Sequence, residues 1–199
     1  KWSQEAMEIV AHRVNSSHDL QQLPASLWIE ADFRSWLGEV VLAHDALDKG
    51  ENVVDWLSKF CHRGLIVNVK ETGLEEKISH ILRSAGIENF FFLDQAPPSQ
   101  IDFLLSGNRL SALRFSEWEN SPELSAFAEW SWIDSFAGNP RTTVELARLA
   151  KELGLKTCIV APDLRFTPTE GEKAVFRQVV LENLPVVDLV CTKEPSFWI

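Results

Sequence analysis

Tyrosine is absent from this 199-residue chain, cysteine occurs three times, and 19 Lys and Arg face 29 Asp and Glu. Each shortage excludes something. Cys61, Cys158 and Cys191 show neither Cys-x-x-Cys nor His/Cys ligand spacing, so they form no zinc site and no disulfide framework. Cys158 and Cys191 lie inside the apolar runs TCIVA and DLVCT and read as buried thiols, and an odd count suits a reducing cytoplasm. The formal charge of −10 withholds the basic footprint that a nucleic-acid backbone or an anionic membrane surface requires. No apolar run approaches the roughly 20 residues of a membrane-spanning helix. The opening KWSQEAMEIVAHR lacks the basic, apolar and small-residue succession of a secretory signal. A cytoplasmic protein is expected, without nucleic acid or stable membrane insertion; the oligomeric state is not legible.

What is present is an ordinary globular composition, 45% hydrophobic and 24% charged, of a length that suits one domain over residues 1–199. With tyrosine missing, the eight tryptophans read mainly as core. Short apolar runs alternate with helical periodicity throughout. The strand candidates are EIVAH, LWIEAD with VVLAH as its extension, LIVNVK, NFFFLD, LSALRFS, WSWIDSF, KTCIVAP and VDLVCT. Amphipathic segments such as LEEKISHILRSAG and TTVELARLAKELG separate them and stop at glycine. Eight strand–helix repeats predict a single compact (β/α)8 barrel of TIM type. At this length the first and fifth helices must shrink to turns, as HDLQQLP and SPELSAF suggest. An open doubly wound sheet would carry a glycine-rich loop after its first strand; RVNSSHD contains no glycine.

In such a barrel, alternate residues point inward and the site lies at the carboxyl ends of the strands. Glu30 and Asp32 therefore share the inner face, as do Asn68 and Lys70, with Val40, Leu42 and His44 read the same way. His12 ends the first strand and Arg13 follows it. Paired carboxylates repel unless a cation or proton lies between them, and oxygen ligands suit Mg²⁺ or Ca²⁺ better than zinc. Two histidines outside the metal shell are free for acid/base work, and Arg13 and Lys70 could hold an anion, a combination that suggests phosphoryl chemistry. Further strand tips offer Asp94, Arg114, Glu117, Trp132, Asp134 and Asp163. Arg114 interrupts an apolar run and is the best additional phosphate-binding candidate; Trp132, with Asp94 and Asp134, could line the pocket. His18, His62 and His80 read as solvated, and Glu75 to Lys77 as an exposed helix face.

The strings AHR, WIEADFR, VVLAHDAL and LIVNVKE resemble the signature of the phospholipase C-like phosphodiesterases, which include glycerophosphodiester phosphodiesterases, sphingomyelinase D and menorin-like proteins. HRVNSSHDL and IEAD look closest to the last two branches. Four separated polar positions match in order over the first third of the chain; beyond that only the strand–helix rhythm matches. The resemblance implies a β/α barrel in which His12 and His44 are general base and general acid. Glu30 and Asp32 would hold Mg²⁺ or Ca²⁺, and Lys70 would be the lysine of the third strand. It also implies attack of a substrate hydroxyl on its own phosphorus, on a small or lipid-derived phosphodiester. Two departures stand out. Asn68 occupies the place of a third acidic ligand, where an amide oxygen can ligate with one charge fewer. The Glu-Asn-Thr motif and the insertion after the second strand of the glycerophosphodiester branch are missing, so that specificity is not expected.

Two other readings follow from the same residues. A non-catalytic or binding protein could retain the barrel with a degenerate site, as Asn68 suggests. A metal-dependent aldolase or isomerase could use the carboxylates to stabilise an enolate.

Overall fold

The computed structural model describes residues 7–199, and eight parallel strands in it close on one another. In chain order the strands are β1 (Glu8–Ala11), β2 (Trp28–Trp36), β3 (Glu39–Leu42), β4 (Glu51–Asn52), β5 (Gly64–Val69), β6 (Phe90–Leu93), β7 (Ala112–Phe115), β8 (Trp130–Ile133), β9 (Lys156–Val160) and β10 (Leu189–Thr192), of which all but β3 and β4 belong to the ring. β1 pairs with β2 on one side and β10 on the other, and ladders continue through β2–β5–β6 and β7–β8–β9–β10. The ring closes between β6 and β7 through a single parallel bridge, Phe92 with Ser111. This sparse seam is knitted by side chains: Ser111 Oγ donates to Gln95 Oε1 at 2.6 Å, and Gln100 Nε2 donates to Ser111 Oγ and the Ala112 carbonyl, each at 2.9 Å.

Helices α3 (Glu75–Ser84), α4 (Pro97–Leu105), α5 (Pro140–Glu152) and α6 (Glu170–Leu181) follow their strands on the outside, after the shorter α1 (Ser17–Gln21) and α2 (Val53–Leu57). α5 and α6 begin at side-chain caps, Asn139 and Thr169, the latter in a reciprocal capping box with Glu172. As predicted, the first helix is one short turn and SPELSAF supplies only the 3-10 turn Pro122–Leu124. Among the described residues no helix is long and apolar enough to cross a membrane.

Inner and outer faces separate by alternation. Val10, Trp28, Ile66, Phe91, Trp130 and Cys158 belong to a buried cluster inside the barrel, whereas Ile29, Ala31 and Val67 pack outward. The floor is aromatic: Phe91 stacks on Trp130 at 4.5 Å, and Trp28 meets Trp130 edge-on at 5.6 Å. Gly64, opposite Trp28 in the ladder, has to lack a side chain, because a Cβ there would lie 2.6 Å from the indole.

Several expectations are corrected. VVLAH does not extend β2; it supplies β3, which returns antiparallel beside β2 and is flanked by β4. The two-residue turn Leu37-Gly38, with φ of 49° and 85°, reverses the chain in the primed geometry whose twist matches a hairpin. Val40 and Leu42 accordingly pack in the outer cluster rather than facing the lumen. His62 is buried, its Nε2 donating to the Leu23 carbonyl at 3.2 Å, and burial lowers its pKa. Glu75 is buried at the start of α3, where it accepts from Gly73 N at 3.0 Å and Gln95 Nε2 at 3.2 Å. Cys158 and Cys191 are buried as expected, but Cys61 is exposed. Trp118 is 81% exposed and is not core; Trp2 lies outside the described residues.

Candidate active site

Glu30 and Asp32 lie on the inner side of β2, where the lumen opens at the carboxyl ends of the strands, and both are almost wholly buried. Their ladder partners on β5 are Ile66 and Asn68. Glu30 accepts from Asn68 Nδ2 at 2.9 Å and from the Arg13 amide at 2.7 Å, and His12 Nε2 stands 3.7 Å away. Asp32 is held by Asn15 in a reciprocal pair: Asn15 Nδ2 donates to its carboxylate at 2.8 Å and Asn15 Oδ1 accepts from its amide at 2.9 Å. Lys70 Nζ at 3.2 Å and Arg13 Nε at 3.6 Å add positive charge to Asp32. Arg13 and Asp94, at the tips of β1 and β6, both adopt left-handed backbone conformations, φ 56° and 59°. Such strain persists only where surrounding contacts fix it.

The environment drives Glu30 and His12 toward their neutral forms. Burial, then the charge of Asp32, raises Glu30 from 4.5 to about 7, against the hydrogen bonds from Asn68 and Arg13. Burial, then repulsion from Arg13, lowers His12 from 6.5 to about 4. A neutral imidazole, 13% exposed and beside a carboxylate, is able to accept a proton.

His44 stands apart from this cluster. It lies just beyond β3, its side chain 39% exposed, with Nδ1 2.7 Å from Asp45 Oδ1. That contact leaves Nε2 available, and it also holds the Asp45 carboxyl below its usual range. The link to the core of the site runs through backbone: the Ala43 amide donates to the Asp32 carbonyl at 3.0 Å, and Arg34 Nε donates to the His44 carbonyl at 3.0 Å. Arg34 Nη1 also donates to the Lys70 carbonyl at 3.3 Å, so one guanidinium ties the His44 loop to the tip of β5.

The far side of the mouth is a charge network. Arg114 contacts Asp94, Glu119 at 3.3 Å and Asp134 at 3.0 Å, and these three carboxylates keep its pKa high despite burial. Arg165 Nε donates to Asp134 at 2.6 Å and its guanidinium lies 4.1 Å from the centroid of Phe136. Trp132 is buried in the barrel interior beneath this network. Glu117 staples the next loop, accepting from Ser135 Oγ at 2.6 Å and Phe136 N at 2.9 Å. Opposed by its desolvation, these bonds bring Glu117 down to about 2. Asp163 accepts from Thr192 Oγ1 at 2.8 Å and Lys193 N at 2.7 Å, fixing the end of β10.

Whether this donor set suits a hard divalent cation is decided at Asn68. Its Oδ1 is buried without a hydrogen-bond partner, which is costly for an amide oxygen. The oxygens of Glu30 and Asp32 with this orphaned Oδ1 form a set fit for Mg²⁺ or Ca²⁺. The set carries little charge: among the described residues no three His, Cys, Asp or Glu side chains converge as a metal cluster.

The sequence alone does not reveal Asn15, Arg34, Arg165 or Lys193. Arg34 and Lys193 were within its reach, since each lies two residues beyond an inward-facing position, Asp32 and Cys191. Asn15 and Arg165 come from loops, whose reach alternation does not encode.

No protein-family profile matches the chain, and no curated protein matches it. Solved structures share its fold. A glycerophosphoryl diester phosphodiesterase from Parabacteroides distasonis superposes with a TM-score of 0.70 at 13% identity, covering 97% of this chain and 85% of that one. A glycerophosphodiester phosphodiesterase from Agrobacterium tumefaciens gives 0.68 at 13% identity, covering 97% and 99%. A tryptophan synthase complex from Pyrococcus furiosus gives 0.59 at 9% identity, covering 94% and 85%. The likeness is one of β/α-barrel fold, and chemistry has to be argued from the site.

Proposed function

We propose that this chain is a metal-dependent phosphodiesterase or phospholyase acting on a small or lipid-derived phosphodiester. The observation that carries the reading is the joining of His12, Glu30, Asp32, Asn68 and Lys70 at the carboxyl ends of three adjacent barrel strands. The fold shared with two phosphodiesterases supports it. Glu30, Asp32 and Asn68 Oδ1 would hold Mg²⁺ or Ca²⁺, which when bound neutralises charge on a phosphoryl oxygen. His12, neutral at physiological pH, draws the proton from the attacking hydroxyl, which belongs to the substrate itself or to water. His44, anchored through Nδ1 to Asp45, gives a proton from Nε2 to the leaving oxygen. Lys70 and Arg13 stabilise the anion from the Asp32 side, and Arg114 is available to it only by sharing a guanidinium already bound to carboxylates.

The test is hydrolysis of bis(4-nitrophenyl) phosphate with and without chelator, in wild type and in His12→Ala. Turnover that needs Mg²⁺ or Ca²⁺ and vanishes in a folded His12→Ala protein supports the proposal; full turnover by the variant refutes it.

One observation favours a second reading, a binding protein with a degenerate site. Asn68 donates to Glu30, and the Asp32 carboxylate is already engaged by Asn15 and Lys70, so the chain satisfies its own carboxylates. Calorimetry separates the two. Absence of heat with millimolar Mg²⁺ and Ca²⁺, together with no turnover, selects the binding protein.

A further inference from the structure

The cations around the mouth fall into two kinds. Arg13, Lys70, Arg114 and Arg165 each lie within ion-pair distance of a carboxylate, and an entering anion has to compete for them. Among the described residues Arg34 forms no ion pair, and it spends Nε and Nη1 on the carbonyls of His44 and Lys70. Lys193 is different. Its side chain is exposed, and among the described residues its ammonium forms no ion pair; a hydrogen bond to the Leu164 carbonyl at 3.1 Å steadies it. An ammonium has three donors, so two remain.

Its position is built. Cys191 belongs to the barrel-interior cluster, and Lys193 follows just past the carboxyl end of β10. β10 pairs with β1 so that Thr192 faces Ala11, and the His12 amide donates to the Thr192 carbonyl; the backbone of Lys193 thus follows directly beside His12, while its ammonium leans to the Leu164 carbonyl in the turn after β9. The buried carboxylate of Asp163 grips Thr192 Oγ1 and the Lys193 amide together. The Glu194 amide donates to Thr192 Oγ1 at 3.0 Å, and the Glu194 carboxylate is drawn outward to Lys173 at 2.8 Å. Its charge is thereby kept off Lys193.

We infer that Lys193 binds a non-bridging oxygen of the substrate's phosphodiester, which then lies at the carboxyl end of β10 on the His12 side of the mouth. The inference rests on the phosphodiesterase reading and narrows its substrate class. Lys193 adds a flexible ammonium to the positive charge that Lys70 and Arg13 already supply from the Asp32 side. A phosphomonoester dianion is better held by a free guanidinium fork, and both guanidinium forks of the far side, Arg114 and Arg165, are bound to carboxylates. The site thus favours diesters over monoesters.

The experiment compares wild type with Lys193→Gln and Lys193→Arg, and with Lys156→Gln, which removes the same charge at the opposite end of β9. Binding of dimethyl phosphate is followed by phosphorus NMR, and KM and kcat are measured on bis(4-nitrophenyl) phosphate. Loss of a charge-assisted contact is worth about tenfold or more in affinity. Lys193→Gln is expected to raise both the Kd of dimethyl phosphate and KM by about that factor, with kcat little changed. Lys193→Arg keeps diester binding, and Lys156→Gln behaves as wild type. Wild type is expected to bind dimethyl phosphate more tightly than methyl phosphate. Unchanged Kd and KM in Lys193→Gln, with wild type active, overturn the assignment of Lys193 alone. A wild-type protein that neither binds dimethyl phosphate nor cleaves diesters overturns the phosphodiesterase reading beneath it as well.

Discussion

Asn68→Asp tests the cation cradle directly, because it supplies the acid that the site lacks and removes the donor that Glu30 now uses. Asn68 Nδ2 lies 2.9 Å from Glu30 Oε1 in a buried setting; a hydrogen bond to a charged group there is worth about 1.5–3 kcal/mol. Two carboxylates at that separation would repel by about 6 kcal/mol at an effective dielectric of 20. Glu30 titrates near 7, however, so at neutral pH the pair escapes the repulsion by keeping one proton. The cost at pH 7 is then the lost bond, about 2 kcal/mol, or a fall of roughly 4–8 °C in Tm for a chain of this size. At pH 9 holding that proton costs a further ~2.7 kcal/mol. A bound cation reverses the sign: with ligand at about 100 times Kd the folded state gains about 2.7 kcal/mol, and the introduced carboxylate carries the charge that tightens binding. Thermal unfolding of both proteins at pH 7 and pH 9, in chelator and in millimolar Ca²⁺ or Mg²⁺, reads these terms. The variant should melt lower than wild type in chelator, more so at pH 9, and recover with cation by a larger increment than wild type. A variant with no penalty in chelator would refute the bond from residue 68 to Glu30, and one that cation does not restore would show that Glu30, Asp32 and residue 68 do not share an ion.

Other expectations can be checked with the same protein. His12, held near 4 rather than 6.5, contributes stability that is present above pH 6.5 and lost as pH falls toward 4, on the order of 3 kcal/mol. Glu30, raised to about 7, contributes stability that is present below pH 4.5 and lost as pH rises through 7, so the two oppose each other between those limits. His12→Gln removes the first contribution; urea unfolding across pH 4.5–7 should show its stability declining with pH where wild type is flatter, and parallel profiles would count against the pKa assignments. Arg34→Met releases the carbonyls of His44 and Lys70 and is expected to lower kcat by up to about 100-fold with little change in Tm; unaltered kcat removes Arg34 from any positioning role. Leu37→Asn, at a left-handed turn position 91% exposed, should stabilise by about 1 kcal/mol, seen as a higher Tm. Phe91→Ala, which empties the aromatic floor beside Trp130, should cost about 3–5 kcal/mol in urea unfolding.

Strand alternation alone determined that the chain forms eight inward-facing strands and that Glu30 and Asp32 look into the lumen with Asn68 and Lys70 at the tip of the neighbouring strand, because side-chain direction in a strand has period two. Turn chemistry was less legible. Leu37-Gly38 lacks the usual Asn-Gly signature, so the reversal that leaves His44 just past a hairpin return strand, outside the barrel ladder, was hidden, and His44 faces more solvent than its apolar approach implies. Which charges meet was decided only in three dimensions. Arg114 breaks an apolar run and so looks like a free anion binder, but its freedom depends on Asp94, Glu119 and Asp134, which arrive from three other points along the chain. Lys193 looks like one surface lysine among many until Asp163 and the β10–β1 register place its backbone beside His12. Local pattern fixes the direction in which a residue points, whereas its partners, burial and protonation depend on Coulomb and desolvation energies set by through-space distance. For that reason the barrel and its carboxylate pair belong to the sequence, and the division of the mouth into paired and unpaired cations belongs to the tertiary structure.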